Sequence, residues 1–362
     1  MDLGIIGYQR SGKTTVFNAV TKGHAEVGAY GAGVQPNIGV VKVPDDRLDR
    51  LAKLFAPKKF TLADIRYIDF PGEAFSSGQG PSAQFLAQLA RCDALIHVAR
   101  AFKDETVPHP QGSVDGQRDA AAMELELAFA DAAFIERRLE RIEAEVRSMK
   151  AGERTEAERH VALLKRLKGG LESDTPLRRQ EISEEEAKSL VNYQFLTDKP
   201  LLLVVNIDEG DAARTGDIEA QYAGFAGERA DVAAISGKVE AELAQMSDAD
   251  AAEFRADLGI AEPGLDRMIR MSYALTGLLS FFTVGPDECR AWNVRTGATA
   301  PEAAGKIHTD LERGFIRAEV VRWDDLLDAG SMPEAKKRGV VRQEGKAYIV
   351  QDGDCLNILF NV

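Results

Sequence analysis

The 362-residue sequence predicts an α/β fold built on buried strands, with an inserted helical segment and a small α+β domain at its end. Three observations predict it. Apolar runs of strand length recur at residues 2–7, 62–70, 94–99, 201–205 and 232–235, each followed by polar or glycine-rich residues. Residues 119–198 read almost wholly as helix, with apolar positions stepping by four and three. From about residue 279, strand-like runs surround a single helical stretch, the pattern of a separate α+β unit of ubiquitin-like size.

The first run opens the chemistry. It leads into Gly7-Tyr-Gln-Arg10-Ser11-Gly12-Lys13-Thr14, which fits G-x-x-x-x-G-K-[ST] at every fixed position. Thr15 and the residues after it have helical periodicity, with Val16, Phe17 and Val20 on one face. A strand before and a helix after are the context such a loop needs. Glycines let backbone N–H groups converge on phosphates, and the helix N-terminus adds partial positive charge. Gly7, Arg10, Ser11, Gly12, Lys13, Thr14 and Thr15 are therefore the expected cradle. Lys13 spans the β- and γ-phosphates, and Thr14 offers a hydroxyl to Mg²⁺.

Further motifs stand at later strand ends. The second strand-like run, residues 62–70, ends Asp69-Phe-Pro-Gly72, a D-x-x-G that puts a carboxylate near the Mg²⁺ shell and a glycine amide near the γ-phosphate. Residues 201–205 lead into Asn206-Ile207-Asp208-Glu209, where a base-reading N-K-x-D would stand. Residues 232–235 lead into Ser236-Gly237-Lys238, the place of a second base-reading loop. Four ordered motifs at strand ends make the first part a P-loop nucleoside-triphosphate-binding domain.

In the insertion, Ala128, Ala132, Ile135, Leu139, Ile142, Val146 and Met149 form one seam, and Ala157, His160, Leu164, Leu167 and Leu171 a second. This predicts an antiparallel coiled-coil hairpin with its tip near residues 150–156 and His160 packed in the seam. Residues 147–168 carry Arg147, Lys150, Arg154, Arg159, Lys165, Arg166 and Lys168 against Glu153, Glu156 and Glu158. Two readings stay open for this basic excess: a solvated helical surface or a contact with RNA phosphate. In the C-terminal part, residues 280–284 and 291–295 bracket Gly285-Pro286 like a hairpin. Residues 301–308 read as one short helix, and 348–350 and 356–360 as closing strands. His308 has no metal partner at ligand spacing, so this part reads as a binding module.

Composition sets outer bounds. Hydrophobic residues make up 44% and charged residues 28%, as in ordinary globular proteins. No run reaches the ~20 apolar residues of a membrane span, and the strand at the N-terminus leaves no room for a signal peptide. Cys92, Cys289 and Cys355 are scattered and read as buried reduced thiols, so a cytoplasmic protein is expected. A net charge of −13 argues against broad nucleic-acid binding, and no motif points to sequence-specific DNA.

With these stretches in view, the chain resembles the YchF/Obg-like ATPase family nearly end to end. The likeness is carried by residues 4–15, 36–41, 92–98, 112–115, 137–145, 183–188, 206–209 and 238–243. Its most specific stretches are C-terminal: 281–286, Ala291-Trp292, 299–301, 307–310, 312–319 and 350–354. The resemblance implies an Obg-type G domain over 1–118 and 199–278, a coiled-coil insertion over 119–198, and a TGS domain over 279–362. It also implies ribosome binding and a preference for ATP over GTP. In an N-K-x-D site the aspartate accepts from guanine N1–H and the 2-amino group while the lysine stem packs on the ring. Here Ile207 replaces the lysine and Glu209 is one methylene longer, which weakens the guanine reading.

The sequence departs from the family at three places. Arg10 stands where the family has asparagine. Gly33 stands where the first switch should offer threonine, and no Ser or Thr occurs between Lys22 and Phe60. Glu73 replaces a hydrophobic residue behind Gly72. Arg10 either turns to solvent or the α-phosphate side, or places a guanidinium near the transferring phosphoryl group. Glu73 either orients water or repels the nucleotide. The leading expectation is a slow ATPase switch, with Lys13, Arg10, Gly72 and Glu73 as catalytic candidates and Mg²⁺ on Thr14 and Asp69. The alternatives are a non-hydrolysing nucleotide-gated adaptor and an Obg-type GTPase. Expected partners are the nucleotide, the ribosome or its RNA, and an unknown protein on the TGS domain.

Overall fold

The computed structural model describes residues 1–23, 36–75, 80–146 and 150–361. In chain order, the first elements are β1 (Asp2–Ile6), α1 (Lys13–Thr21), β2 (Asn37–Lys42), α2 (Asp46–Phe55), β3 (Lys59–Thr61), β4 (Asp64–Asp69), α3 (Ala83–Ala90) and β5 (Ala94–Arg100). The insertion contributes α4 (Gly116–Val146), α5 (Ala151–Glu172) and α6 (Glu184–Leu190). Then follow β6 (Leu201–Asn206), α7 (Thr215–Gln221), β7 (Ala230–Ile235), α8 (Gly237–Leu243), α9 (Asp248–Asp257) and α10 (Gly264–Leu275). Contacts divide these residues into two compact units, 1–40 with 66–268, and 41–65 with 269–362.

The first unit is organised by a six-stranded sheet of order β2-β4-β1-β5-β6-β7. β1 runs parallel to β4 and β5, and β5, β6 and β7 are parallel in turn. Every residue of β5 and β6 is buried, which is why these strands read as unbroken apolar runs. This parallel order carries the C-terminal ends of β1, β4, β5, β6 and β7 to one edge, where the loops of an open α/β sheet bind ligands. Tyr8, just past β1, is buried with Phe70, Phe75, Met123 and Leu127 in one apolar cluster. The phosphate loop thus rests directly on α4.

The helical insertion is the expected hairpin. Ala128, Ile135, Leu139 and Ile142 of α4 pack with Leu163, Leu164, Leu167 and Leu171 of α5. Lys165 pairs with Glu143 and Lys168 with Glu136, so partner numbers move in opposite directions and the helices are antiparallel. Full burial of a leucine such as Leu164 or Leu167 is worth roughly 1.5–3 kcal/mol relative to exposure. Residues 151–156, expected at the tip, belong to α5, which begins at Ala151. Arg147 and Met149 lie outside the described residues. His160 packs against Tyr193, with Nε2 and the phenol oxygen 2.5 Å apart, as the seam implied.

The second unit contains β8 (Leu278–Thr283), β9 (Glu288–Arg295), α11 (Ala300–Ile307), α12 (Thr309–Arg313), β10 (Phe315–Arg322), α13 (Trp323–Ala329), α14 (Met332–Lys337), β11 (Arg342–Glu344) and β12 (Asp354–Phe360). Its sheet has the order β11-β10-β12-β8-β9-β3. β8 and β9 form the expected antiparallel hairpin, α11 crosses, and β12 returns parallel beside β8. Thr299 and Glu302 close a capping box on α11. Three expectations change. Residues 348–350 are not a strand; Ile349 makes only an isolated bridge to Thr299. β10 has no counterpart in the sequence expectation, because its burial does not alternate: Ile316 is exposed and Glu319 is buried. Four helices, not one, accompany the strands.

Residues 41–65, expected with the nucleotide-binding part, pack with the C-terminal strands. β3 pairs in parallel with β9, and Arg47 meets Asp352 at 2.5 Å while stacking over Phe282. These partners lie hundreds of residues apart in sequence, so no local pattern announces them.

Candidate nucleotide site

Gly12 turns the chain into α1. It sits in the left-handed region at φ 87°, and a Cβ there would fall 2.2 Å from Asn206 Nδ2. Only glycine fits. Lys13 and Thr14 follow as the first, buried residues of α1, where backbone N–H groups have no helical acceptor. Asn206, the last residue of β6, clamps this turn. Its Nδ2 donates to Ser11 O at 3.0 Å and its Oδ1 accepts from Gly237 N at 2.9 Å. One side chain therefore joins the phosphate loop to the loop after β7.

Thr14 Oγ1 donates to Asp69 Oδ2 at 2.9 Å, bringing the two predicted metal residues together. Asn37 Nδ2 lies 3.5 Å from the same carboxylate oxygen. A hydroxyl and a carboxylate side by side are hard oxygen donors of the kind Mg²⁺ takes, and they flank the cradle, so these residues fit that ion. Gly72 approaches the loop closely. A Cβ on it would lie 2.7 Å from Lys13 Nζ and 2.9 Å from Gln9 N. The Ser11 hydroxyl is buried with no hydrogen-bond partner among the described residues.

A cavity of about 1120 Å³ is lined by Lys13, Thr14, Thr15 and Gly72 together with Glu209, Ser236 and Lys238. Glu209 Oε2 and Lys238 Nζ meet at 2.7 Å, and the hydrogen bond to Glu209 raises the Lys238 pKa above its ordinary value. Ser236 caps α8, its hydroxyl facing Val239 N, and Gly237 is the first residue of that helix. Ile207 also lines the cavity and is buried with Leu203, Val205 and Tyr222 in one apolar cluster.

Arg10 adopts φ 62° and donates from Nη1 to Pro108 O at 2.9 Å, on the loop after β5. The Glu73 side chain and Gly33 lie outside the described residues. One wall of the cavity, residues 102–107, had no place in the sequence expectation. Its organiser is Arg100, buried at the end of β5, which donates to the carbonyls of Phe102, Asp104 and Val107 and stacks on the Phe102 ring at 4.4 Å. The available signal was an arginine closing a strand that is apolar but for His97. Farther along, His109 Nε2 meets Asp119 Oδ2 at 2.8 Å while Nδ1 accepts from Gln111 N, which assigns the Nε2–H tautomer.

On the hairpin, three of the seven cations counted over residues 147–168 have acidic partners outside that segment. Lys165, Arg166 and Lys168 are engaged by Glu143, Glu186 and Glu136, acids contributed by α4 and α6. The three cysteines are buried free thiols, and burial pushes Cys92 up to about 12. No helix among the described residues is long and apolar enough to cross a membrane.

Sheet order, phosphate loop and the Asn206 clamp define a P-loop protein of the GTPase fold class. A family model described as a 50S ribosome-binding GTPase matches residues 2–128, and a YchF-GTPase C-terminal model, described as a protein of unknown function, matches residues 278–361. The chain is 41% identical over 367 residues to the ribosome-binding ATPase YchF of Bacillus subtilis, covering 99% of each chain. It is 38% identical to the ribosome-binding ATPase YchF of Escherichia coli O157:H7, again with 99% of both covered. It also matches the solved Schizosaccharomyces pombe YchF GTPase with a TM-score of 0.84 and 28% identity, over 99% of this chain and 97% of that one. This chain belongs to the YchF family.

Proposed function

We propose that this protein is a nucleotide-dependent switch that binds and slowly hydrolyses ATP, takes GTP more weakly, and works on the ribosome in the cytoplasm. The observation that carries the nucleotide part is the Asn206 clamp, which holds the phosphate loop and the second base-reading loop as one unit. The printed names of the bacterial relatives support ATP and the ribosome; that of the fission-yeast structure names a GTPase.

In this reading the backbone N–H groups at the start of α1 and the Lys13 ammonium hold the phosphates. Thr14 and Asp69 hold Mg²⁺, which supplies charge neutralisation when bound. The Gly72 amide and Lys13 stabilise charge developing on the γ-phosphoryl oxygens as water attacks. Arg10, whose guanidinium donates to Pro108 O, orders the rim, and Glu73 is the candidate to orient the attacking water. The C-terminal unit serves as the partner-binding module. A second reading, a nucleotide-gated adaptor that does not hydrolyse, is favoured by one observation: no Ser or Thr stands between Lys22 and Phe60 to act as the switch hydroxyl.

The test is calorimetry with Mg²⁺-ATP and Mg²⁺-GTP on wild type and Lys13→Ala, followed by single-turnover hydrolysis. Tighter ATP binding, lost in Lys13→Ala, with measurable turnover is expected. Equal affinity in wild type and Lys13→Ala would falsify the site. Binding without turnover selects the adaptor.

A further inference from the structure

Two residues that line the cavity, one from the segment after β6 and one from the start of α8, form an ion pair. Glu209 follows β6, while Lys238 is the second residue of α8, beyond β7. Their charged atoms meet at 2.7 Å, and both residues line the cavity. The neighbouring carboxylate is committed elsewhere: Asp208 accepts from the Lys103 backbone N–H at 3.1 and 3.3 Å. Glu209 is thus the carboxylate placed to read a base, and one of its oxygens already holds an ammonium.

We propose that Lys238 sets base preference by holding the Glu209 carboxylate, so that guanine is disfavoured and adenine admitted; this rests on the nucleotide site assigned above. Guanine presents N1–H and the 2-amino group side by side, and a carboxylate reads both by giving one oxygen to each. With Lys238 held at Oε2, guanine must share that oxygen with the ammonium, displace it, or leave one donor unpaired, and each of these weakens its pairing. Adenine has no N1–H and no 2-amino group. It asks one acceptor for its 6-amino group, which Oε1 supplies with the ion pair intact. The penalty therefore falls on guanine alone, a specificity produced by blocking the competitor rather than by new contacts to the favoured base.

Both side chains are largely exposed, so the pair is screened by salt and the effect is modest. Lys238→Met should raise the GTP-to-ATP affinity ratio roughly twofold to fivefold at low salt. Lys238→Arg keeps an ammonium-like donor and should retain the wild-type ratio. Inosine triphosphate has N1–H but no 2-amino group, so its affinity should gain less than that of GTP in Lys238→Met. In wild type, raising NaCl from about 20 to about 500 mM, well past the screening range, should move the ratio toward GTP; in Lys238→Met it should not. Titration calorimetry with the three triphosphates at both salts reads all of these. An unchanged GTP-to-ATP ratio in Lys238→Met at low salt, with both nucleotides bound, overturns the proposal and leaves the site standing. A wild type that binds neither nucleotide overturns both.

Discussion

Asn206 and Ser11 stand 195 residues apart in the chain and are joined by one hydrogen bond, from the Asn206 amide to the Ser11 carbonyl at 3.0 Å. The other atom of that amide holds Gly237 N. A side chain buried at the end of β6 thereby ties the phosphate loop to the loop after β7.

Asn206→Ala removes both bonds and leaves a buried carbonyl and a buried N–H without their partner. Loss of such contacts costs about 1–3 kcal/mol, so ATP affinity should fall roughly tenfold to a hundredfold. Calorimetry measures it, and an affinity within twofold of wild type would mean the clamp does not organise the site.

Gly72→Ala places a methyl group 2.7 Å from Lys13 Nζ and 2.9 Å from the Gln9 backbone nitrogen. The ammonium can move, but the backbone nitrogen cannot. Because the clash lies where the γ-phosphate is expected, affinity for ATP should drop at least fivefold more than affinity for ADP. Equal losses for the two nucleotides would place Gly72 away from the γ-phosphate.

His97, in the middle of β5, is fully buried, and burial pushes its pKa down to about 3; its Nε2 has no hydrogen-bond partner among the described residues. The unfolded chain binds the proton near the ordinary value of 6.5. Stability is therefore complete above pH 6.5 and lost as pH falls toward 3, by about 1.4 kcal/mol per unit, or about 2 kcal/mol at pH 5. Asp131 acts oppositely: burial raises its pKa to about 6, so it adds stability as pH falls from 6 toward its ordinary value of 3.8. Urea unfolding of wild type and His97→Leu between pH 7 and 5 separates them. The variant should lose less stability than wild type, and parallel pH curves would contradict the burial of a neutral imidazole.

On the hairpin, Lys150 and Arg159 are exposed near the turn, whereas Lys165, Arg166 and Lys168 are engaged by acids across the fold. If the tip contacts ribosomal RNA, Lys150→Glu with Arg159→Glu should weaken ribosome co-sedimentation and flatten its salt dependence by about two phosphate contacts. Lys165→Glu should instead lower hairpin stability by opposing Glu143. Co-sedimentation of the double variant equal to wild type across a salt series returns the tip to a solvated surface.

The phosphate loop, the paired motifs at strand ends and the hairpin seam were legible because each depends on residues close together in sequence. Gly12, Lys13 and Thr14 form a local turn into a helix, and the seam from Ala128 to Ile142 repeats at helical spacing. β10 was not legible, since its burial does not alternate, with Ile316 exposed and Glu319 buried. Nor was Arg100, whose task is to gather three carbonyls of a loop with no periodicity of its own.

By itself, then, the sequence determined that this protein carries a nucleotide-phosphate cradle, a helical hairpin and a C-terminal α+β unit, because hydrophobic period and loop chemistry are local properties. Only the tertiary structure decided that residues 41–65 pack with the C-terminal strands, that three hairpin cations are neutralised, and that Lys238 holds Glu209. Those outcomes depend on which strands become neighbours in each sheet and which helices lie side by side. Such pairings join residues from tens to hundreds of positions apart, where neither propensity nor spacing along the chain carries the information.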